Sequence, residues 1–398
     1  MPLRGTNQEF NRSFNRRIIL EAIRTRGPIS KAEIARAVGL TFQTVTTIAR
    51  QLETQDLIHS SRDSPKGRGQ PPQWHTINPQ GGYTVGLHVT PLSMEAALVN
   101  LVGEIVARYR APLGETNPKL VFREIGKLTA KLSRSIPQSK ILGAGMVMPG
   151  PFGVDSMSFV GPTTLKGWQG IDMAARLASE LSLPSFVDVD VVAAALGEHL
   201  YGAARAYRNF YYLYFGLGLG GVLVNDGQPM RGAHGNAVEI GHLPLVPNGE
   251  PCICGNRGCL ERYLSFEALK RSVATYGEAG RSKWISETAP LLRKAILSIE
   301  TMLDPATIVI GGYGNEGVLR ELVAEAQPLH NSIAARSDRK TERLILSEHG
   351  DDAILRGAAA LAIEGILTPR ADVLFVRKEE GAIAVLSSFE AKLGVVQL

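Results

Sequence analysis

The sequence predicts the α/β fold class, with an N-terminal winged helix-turn-helix followed by a larger α/β body of two lobes. Three observations lead to this prediction. Helical periodicity with cap residues fills the N-terminus, strand patterns alternate with long helical stretches from Gly82 onward, and 398 residues suffice for two or three domains. We expect the winged domain over residues 1–80 and the body over 81–398.

Three helices are predicted at the N-terminus from their start and stop signals. The first ends at Gly27, a capping box of Ser30 and Glu33 opens the second, and Gly39 stops it. Thr41 is the N-cap of the third helix. Apolar positions recur at helical spacing in the first and third helices, at Ile18, Ile19, Ala22 and Ile23 and at Val45, Ile48 and Leu52. Two helices joined by a tight glycine turn are typical of a helix-turn-helix.

The segment after the third helix has the pattern of a wing. Residues 57–79, "LIHSSRDSPKGRGQPPQWHTINP", read as a strand, a basic glycine-rich loop and a second strand. A wing brings basic side chains to phosphates or a minor groove, while the helix meets base edges or phosphates. The residues predicted to contact DNA are Thr41, Gln43, Thr44, Thr47 and Arg50 on the helix and Arg62, Lys66 and Arg68 on the wing. A three-helix protein-interaction domain with a solvated loop is the alternative.

The positive charge of the chain is concentrated in this N-terminal module. Residues 1–80 carry 12 Lys and Arg against 6 Asp and Glu, whereas the remaining residues carry 31 against 32. This asymmetry favours contact with a polyanion over a merely solvated basic surface. The N-terminus lacks the apolar core of a secretory signal, and no apolar run is long enough to span a membrane. We therefore expect a cytoplasmic protein with reduced thiols and no membrane partner.

All three cysteines of the chain lie within "PCICGNRGCLERY", at Cys252, Cys254 and Cys259. In a reducing compartment, such a cluster indicates a metal rather than a disulfide. Together with His242, the thiols supply four ligands, enough to close a tetrahedral zinc site. Four protein ligands leave no open position for water, so the predicted zinc, one per chain, is structural. Free buried thiols are the alternative.

The cysteine motif also carries a family resemblance. "CICGNRGCLE" matches the C-x-C-G-x-x-G-C-x-E signature of the ROK family (repressors, open reading frames and kinases), and "GQPMRGAHGNAVEIGH" resembles its second signature, which ends in E-I-G-H. With the winged helix-turn-helix in front, nearly the whole chain resembles a ROK-family transcriptional regulator. The resemblance implies an actin-like, sugar-kinase-like (ribonuclease H-like) body, with its lobes split near residue 195 and a C-terminal helix returning to the first lobe. It further implies a sugar between the lobes and a zinc that shapes the sugar site. It also implies a homodimer or homotetramer on inverted operator half-sites.

The resemblance transfers unevenly to the sugar side of the cleft. In "FVDVDVVAAALGE", Asp190 stands for the catalytic base of the kinases, while Val189 and Val192 replace two Asn residues. The side chains implied to bind the effector are Asp188, Asp190, Glu239, His242 and Glu261, with Thr163 or Thr164 of "GPTTLKGW". Because two amides are missing, we expect a deoxy, amino, anionic or otherwise unusual sugar, or a larger saccharide. Loss of all ligand binding is the alternative.

The nucleotide side departs further from the kinase pattern. The D-x-G-G-T motif of the family is "HVTPL" here, so that His88 stands for the metal-binding Asp and Pro91 and Leu92 stand for Gly and Thr. Pro91 lacks an N–H group, and its ring blocks a close approach of phosphate. In the second phosphate loop, Leu217 replaces the hydroxyl of G-T-G. These changes predict that ATP–Mg²⁺ is not positioned for transfer, that Asp190 is a vestigial base and that no residue is catalytic.

The function predicted from the sequence is a sugar-responsive transcriptional regulator, a repressor of genes for carbohydrate uptake or catabolism. Closure of the cleft on an effector is expected to shift the two winged helices of an oligomer and so to change the affinity for DNA. Two alternatives stay open: an ATP-dependent sugar kinase that kept a DNA-binding domain, and a regulator controlled by a protein partner. No role is predicted for residues 368–398.

Overall fold

A computed structural model describes residues 8–62, 72–150, 165, 167–312 and 316–367. Its strands form three sheets: one of three strands near the N-terminus and two of five strands in the body. In these ranges, no helix is both long and apolar enough to cross a membrane.

The N-terminal module is a winged helix-turn-helix, as predicted. Its elements are α1 (Gln8–Arg26), β1 (Ile29–Ser30), α2 (Lys31–Val38), α3 (Phe42–Thr54), β2 (Ile58–Arg62) and β3 (Gln73–Ile77), with the sheet order β1-β3-β2. The capping box is present, because the Ser30 side chain accepts from the Glu33 backbone N–H and Glu33 accepts from that of Ser30. Gly39 ends α2 in the left-handed region at φ 69°, and the Thr41 side chain caps α3. The predicted caps therefore set the ends of both helices of the motif.

The first lobe is built on a mixed sheet with the strand order β6-β5-β4-β7-β8. Its elements are β4 (Tyr83–Val89), β5 (Ser93–Asn100), β6 (Ile105–Pro112), α4 (Pro118–Leu132), β7 (Ile141–Met148), α5 (Met173–Leu181) and β8 (Ser185–Val189). The first three strands form an antiparallel meander, and β7 and β8 continue the sheet in parallel with β4. The parallel strands end at the same edge, which faces the second lobe.

The second lobe repeats this plan with the strand order β11-β10-β9-β12-β13. Its elements are α6 (Asp190–Tyr201), β9 (Phe210–Phe215), β10 (Leu219–Asn225), β11 (Gln228–Pro229), α7 (Phe266–Tyr276), α8 (Ala279–Leu303), β12 (Ile308–Gly312), α9 (Glu316–Glu325) and β13 (Leu344–Leu346). The last helix, α10 (Ala353–Leu367), returns to the first lobe and packs on β4 and β7. Strands β9 and β10 form an antiparallel pair, and every residue of β12 is buried.

Helix α8 contains the stretch "APLLRKAILSIETMLD" except for its last residue, Asp304, and begins ten residues before it, at Ala279. A proline usually belongs to the first turn of a helix, yet Pro290 lies inside α8. The upstream part of α8 is held by burial: Trp284 is buried, stacks at a tilt 5.7 Å from the Phe215 ring and donates a 2.8 Å hydrogen bond to the Tyr263 carbonyl. Tertiary packing therefore outweighs the local signal.

Helices α6 and α10 cross closely between the two sheets. A Cβ atom on Gly357 of α10 would lie 1.9 Å from the Ala193 carbonyl oxygen of α6. A Cβ on Gly145 of β7 would lie 1.8 Å from the Ala358 carbonyl oxygen, so α10 also packs directly on the first sheet. Glycine is required at both positions because backbone touches backbone there.

The winged domain shares a hydrophobic core with the body. One cluster of buried side chains contains Ile19, Leu20 and Ile23 of α1 together with Leu200 of α6 and Ile363 and Ile366 of α10. At its edge, the Arg24 guanidinium lies 3.5 Å from the Leu200 carbonyl oxygen, and Lys140 forms a 2.8 Å ion pair with Asp56. The winged domain is therefore packed against the helices that separate the lobes, while the predicted domain limits stay a prediction.

Candidate functional site

A cavity of about 1080 Å³ lies between the two lobes. The structure brings five of the predicted effector residues to its wall: Asp188, Asp190, Glu239, His242 and Glu261. Thr163 and Thr164 lie outside the described residues. The cavity also reaches the hairpin turn after β4 and the loop after β9, so the sugar side and the nucleotide side of the sequence pattern belong to one cleft.

Asp190 sits at the junction of β8 and α6. It is the first residue of α6, and its Oδ1 accepts a 2.9 Å hydrogen bond from the Val191 backbone N–H. Burial raises the pKa of Asp190 to about 6, and the nearby carboxylates of Glu239 and Asp188 act in the same direction. Burial likewise raises the pKa of Glu239. The carboxyl groups of Asp190 and Glu239 therefore keep their protons to a higher pH than freely solvated carboxyl groups do.

Asp188 is held by a residue that the sequence analysis missed. Arg231 binds it through both guanidinium nitrogens, with Nη1 2.7 Å from Oδ1 and Nη2 in contact with Oδ2. Asp188 belongs to β8 of the first lobe, and Arg231 follows β11 of the second, so the ion pair crosses the cleft. A buried strand aspartate needs a cation, but nothing in the sequence says that the partner stands 43 positions away.

The predicted metal ligands come together at the side of the cavity. The ligand atoms of His242, Cys252, Cys254 and Cys259 all lie within 4.8 Å of one another. The distances from Cys252 Sγ to His242 Nδ1 and from Cys254 Sγ to Cys259 Sγ are both 3.6 Å. Zinc bonds of about 2.0–2.3 Å in a tetrahedron give ligand separations of about 3.5–3.8 Å, so three thiolates and an imidazole fit the ion.

The cysteine loop, residues 252–259, lies next to two of the predicted effector residues, His242 and Glu261. Glu261 Oε1 lies 3.0 Å from Cys252 Sγ and 3.4 Å from His242 Nδ1. Gly258 has a positive φ of 77°, and a Cβ there would lie 1.8 Å from the Val246 carbonyl oxygen. The tight turn that glycine permits thus brings the cysteines next to two predicted effector residues.

The turn between β4 and β5, which the sequence pattern assigns to the nucleotide, is closed by hydrogen bonds among its own residues. The Thr90 hydroxyl oxygen accepts from the backbone N–H groups of Leu92 at 3.3 Å and Ser93 at 3.0 Å, and the hydroxyl donates to the Ser93 carbonyl at 2.9 Å. Pro91 has no N–H to offer. The backbone donors that a phosphate would need in this turn are therefore occupied or absent.

The predicted counterpart of the metal-binding Asp, His88, is buried at the end of β4. Burial lowers the pKa of His88 to about 4, so the imidazole is neutral near pH 7. Opposite His88 on β5 lies the buried Glu95, whose Oε2 binds Arg108 at 2.6 Å and whose Oε1 lies 3.4 Å from Arg110. Glu95 was not singled out from the sequence. Its charge is balanced by arginines on β6, which leaves little attraction for a divalent cation.

The predicted DNA contacts line α3 and the start of the wing. Thr41, Gln43, Thr47, Arg50 and Arg62 are exposed, whereas the Thr44 hydroxyl lies 2.9 Å from that of Thr41. Lys66 and Arg68 lie outside the described residues. The same surface contains Phe42, 59% exposed at the first turn of α3, which the sequence analysis did not name. An exposed aromatic next to threonines and an arginine suits contact with thymine methyl groups.

Two family models match the chain: the ROK family over residues 84–365 and the MarR family over residues 18–68. The chain is 29% identical over 272 residues to the xylose repressor of Bacillus subtilis, which covers 68% of this chain and 70% of the repressor. It is 27% identical over 323 residues to a glucokinase of Streptomyces coelicolor, covering 71% of this chain and 98% of the glucokinase.

Solved structures share the fold. A ROK family transcriptional regulator described as a homolog of the E. coli MLC protein superimposes with a TM-score of 0.72 at 21% identity, covering 96% of this chain and 99% of that one. A ROK family glucokinase from Streptomyces griseus, in complex with glucose and AMPPNP, superimposes with a TM-score of 0.56 at 23% identity, covering 71% and 100% of the two chains. The first comparison spans the winged domain as well as the body.

Proposed function

Because this chain belongs to the ROK family, we propose that it is a sugar-responsive repressor that binds operator DNA through its winged helix-turn-helix and does not transfer phosphate. One observation carries the proposal. The cleft contains the predicted effector carboxylates and His242, but in the turn between β4 and β5 the backbone N–H groups of Leu92 and Ser93 already donate to the Thr90 hydroxyl. A relative of similar length is a xylose repressor, which supports a sugar as the effector.

The sugar side has the chemistry that binds a polyol. Asp190, Glu239 and Glu261 offer carboxylate oxygens as acceptors for sugar hydroxyls, and His242 adds an imidazole. A hydroxyl that donates to Asp190 favours the ionised form, which burial disfavours in the empty cleft. Effector binding is thereby coupled to loss of a proton from this group.

A structural zinc, one per chain, is the second part of the proposal. The spacing of His242 and the three thiols supports it. When bound, the ion ties the 252–259 loop to His242 and so fixes the wall that holds Glu261. We expect about one zinc per chain by elemental analysis of protein prepared without chelator, and much less in Cys254→Ser. Wild-type protein with almost no zinc would contradict this part alone.

Coupling to DNA is proposed to run through α6. This helix begins at Asp190 in the cavity and ends at Tyr201 beside the winged domain, where Leu200 joins the shared core. Closure of the lobes on an effector changes the Asp190 end, and a rigid helix carries the displacement to α1. In a dimer or tetramer on inverted half-sites, the same displacement alters the spacing of two recognition helices.

The test uses the full-length protein and DNA from upstream of its own and neighbouring genes. A thermal-shift screen with xylose, glucose and other sugars identifies ligands, and fluorescence anisotropy measures DNA affinity with and without each hit. We expect a stabilising sugar to weaken DNA binding about 5- to 150-fold. Failure of every sugar to bind, with DNA release caused only by a cell-extract protein, would instead favour a regulator controlled by a protein partner.

A coupled ATP-consumption assay separates the repressor from a kinase that kept a DNA-binding domain. We expect no sugar-dependent turnover, because the turn at Thr90 and the neutral His88 provide neither phosphate donors nor a metal-binding carboxylate. Turnover that disappears in Asp190→Ala would establish the kinase instead.

A further inference from the structure

The cleft contains a second, apolar subsite next to the sugar side. We propose that this subsite, formed by Pro91, Leu92, Leu217 and Phe266, binds an aryl or alkyl group attached to the sugar, so that the effector is a glycoside rather than a free monosaccharide. This inference rests on sugar binding by the proposed repressor and names the class of sugar derivative that it senses.

Two exposed leucines on opposite lobes carry the inference. Leu92, in the turn between β4 and β5, is 74% exposed, and Leu217, in the loop between β9 and β10, is 54% exposed. Both line the same cavity. A single exposed leucine is ordinary on a protein surface, but large apolar side chains facing one cavity from both walls indicate an apolar occupant.

The backbone around these leucines is partly engaged. The Leu92 N–H is bonded to the Thr90 hydroxyl, and in the second loop the carbonyls of Gly216 and Leu217 accept from the N–H groups at the start of α7, at 2.9 and 3.4 Å. These bonds hold both loops in place, and each loop adds the hydrocarbon of a leucine side chain to the cavity wall.

Two cations lie near the apolar side chains. Arg110 lies 3.4 Å from Glu95, and the exposed Lys270 ammonium lies 4.5 Å from the centre of the Phe266 ring. A cation–π contact at an exposed site is weak, so the ammonium can still bind an anion. A phosphate is therefore the competing occupant that the experiment has to separate from an aryl group.

The apolar subsite is continuous with the sugar side. A Cβ placed on Gly218, the residue after Leu217, would lie 3.1 Å from Glu261 Oε2. The loop that carries Leu217 is therefore adjacent to a carboxylate that is proposed to bind the sugar. The cavity volume of about 1080 Å³ is at the upper end of the range for drug-sized ligands and exceeds what one monosaccharide fills.

Isothermal titration of the full chain tests the inference with matched ligands: xylose, glucose, their methyl and phenyl β-glycosides, and glucose 6-phosphate. We expect a phenyl glycoside to bind about 10- to 100-fold more tightly than the methyl glycoside of the same sugar, because the ring is taken out of water. Leu92→Thr and Leu217→Thr should each remove several-fold of this gain and leave the affinity for the methyl glycoside unchanged.

Ile333→Thr is the matched control, because Ile333 is 77% exposed and does not line the cavity; it should retain the full phenyl gain. Free sugars that bind as tightly as their phenyl glycosides would overturn the apolar subsite and leave the repressor proposal standing. Tighter binding of glucose 6-phosphate than of any phenyl glycoside would show that this end of the cavity is an anion subsite and not an apolar one. Absence of binding by all sugars and glycosides would remove both proposals.

Discussion

At the scale of single residues, the cleft depends on partners that are distant in sequence. The acidic residues of the sugar side were identified from motifs, and the structure brings them to one cavity. Arg231 and Glu95 were missed because their importance comes from the neighbours that the fold supplies: Asp188 across the cleft and the arginines on the adjacent strand. A sequence motif identifies residue types at fixed spacing along the chain. It does not identify an ion pair, because the two partners come from different elements that only the fold brings together.

Asp190→Asn should stabilise the protein in a pH-dependent way. The pKa of about 6 lies above the ordinary aspartate value, so above pH 6 the folded protein holds a buried charge that the unfolded chain holds in water. As pH falls from 6 toward 4, the folded state takes up the proton and this cost disappears. We expect the variant to gain about 1–3 kcal/mol in free energy of unfolding at pH 8 and less at pH 5.

Urea unfolding of variant and wild type at the two pH values measures this difference. Asn retains the oxygen that accepts from the Val191 N–H, so the start of α6 is preserved. Asp226→Asn is the control, because Asp226 is exposed and paired only at the surface with Arg208. An Asp190→Asn gain that is the same at pH 5 and pH 8 would rule out the proposed ionisation.

At the scale of elements, local signals predicted helix ends well where caps exist. Ser30, Gly39 and Thr41 fix the helix-turn-helix through their own hydrogen bonds and φ angles, which are local properties. The start of α8 has no such local signal, because Trp284 is held by contacts with residues distant in sequence. The crossing of α6 and α10 is likewise non-local, and only the alanine and glycine content of both segments hints at it.

Gly357→Ala should force these two helices apart. The new Cβ would lie 1.9 Å from the Ala193 carbonyl oxygen, and a backbone atom within a helix cannot give way cheaply. We expect a loss of about 1–3 kcal/mol in free energy of unfolding, the usual cost of overpacking, measured by urea or thermal unfolding.

Gly126→Ala in α4 is the matched control for this helix substitution. Its Cβ would meet only the end of the Glu180 side chain, at 3.1 Å, which can move. The better helix propensity of alanine should therefore stabilise this variant or leave it unchanged. If Gly357→Ala proved as stable as Gly126→Ala, the close crossing of α6 and α10 would be incorrect.

At the scale of the whole molecule, the winged domain and the body are physically continuous. The charge asymmetry and the change of pattern near residue 80 led us to expect a DNA-binding module attached to a sugar-binding body. They gave no sign that α1 buries its apolar face against α6 and α10. This shared core matters for function, because a flexible tether would let the cleft close without moving the recognition helix.

The contact between Arg24 and the end of α6 is therefore expected to transmit the effector signal. Arg24→Met retains the apolar stem of the side chain but removes the 3.5 Å contact with the Leu200 carbonyl and the hydrogen bonds to Glu21. Effector affinity and DNA affinity of the unliganded protein should change little, because Arg24 does not line the cavity and belongs to α1, outside the recognition helix and the wing. The factor by which the effector weakens DNA binding should fall about two- to thirtyfold.

Anisotropy titrations of DNA with and without effector measure this factor, and linkage requires that DNA weaken effector binding by the same factor. Arg26→Met is the control, because Arg26 is exposed on the same helix and carries the same charge. Full coupling in Arg24→Met would show that the signal bypasses the end of α6. Loss of coupling together with loss of DNA binding in both variants would point to general electrostatics. Only a selective loss of coupling in Arg24→Met is expected if α6 connects the sugar cleft to the winged domain.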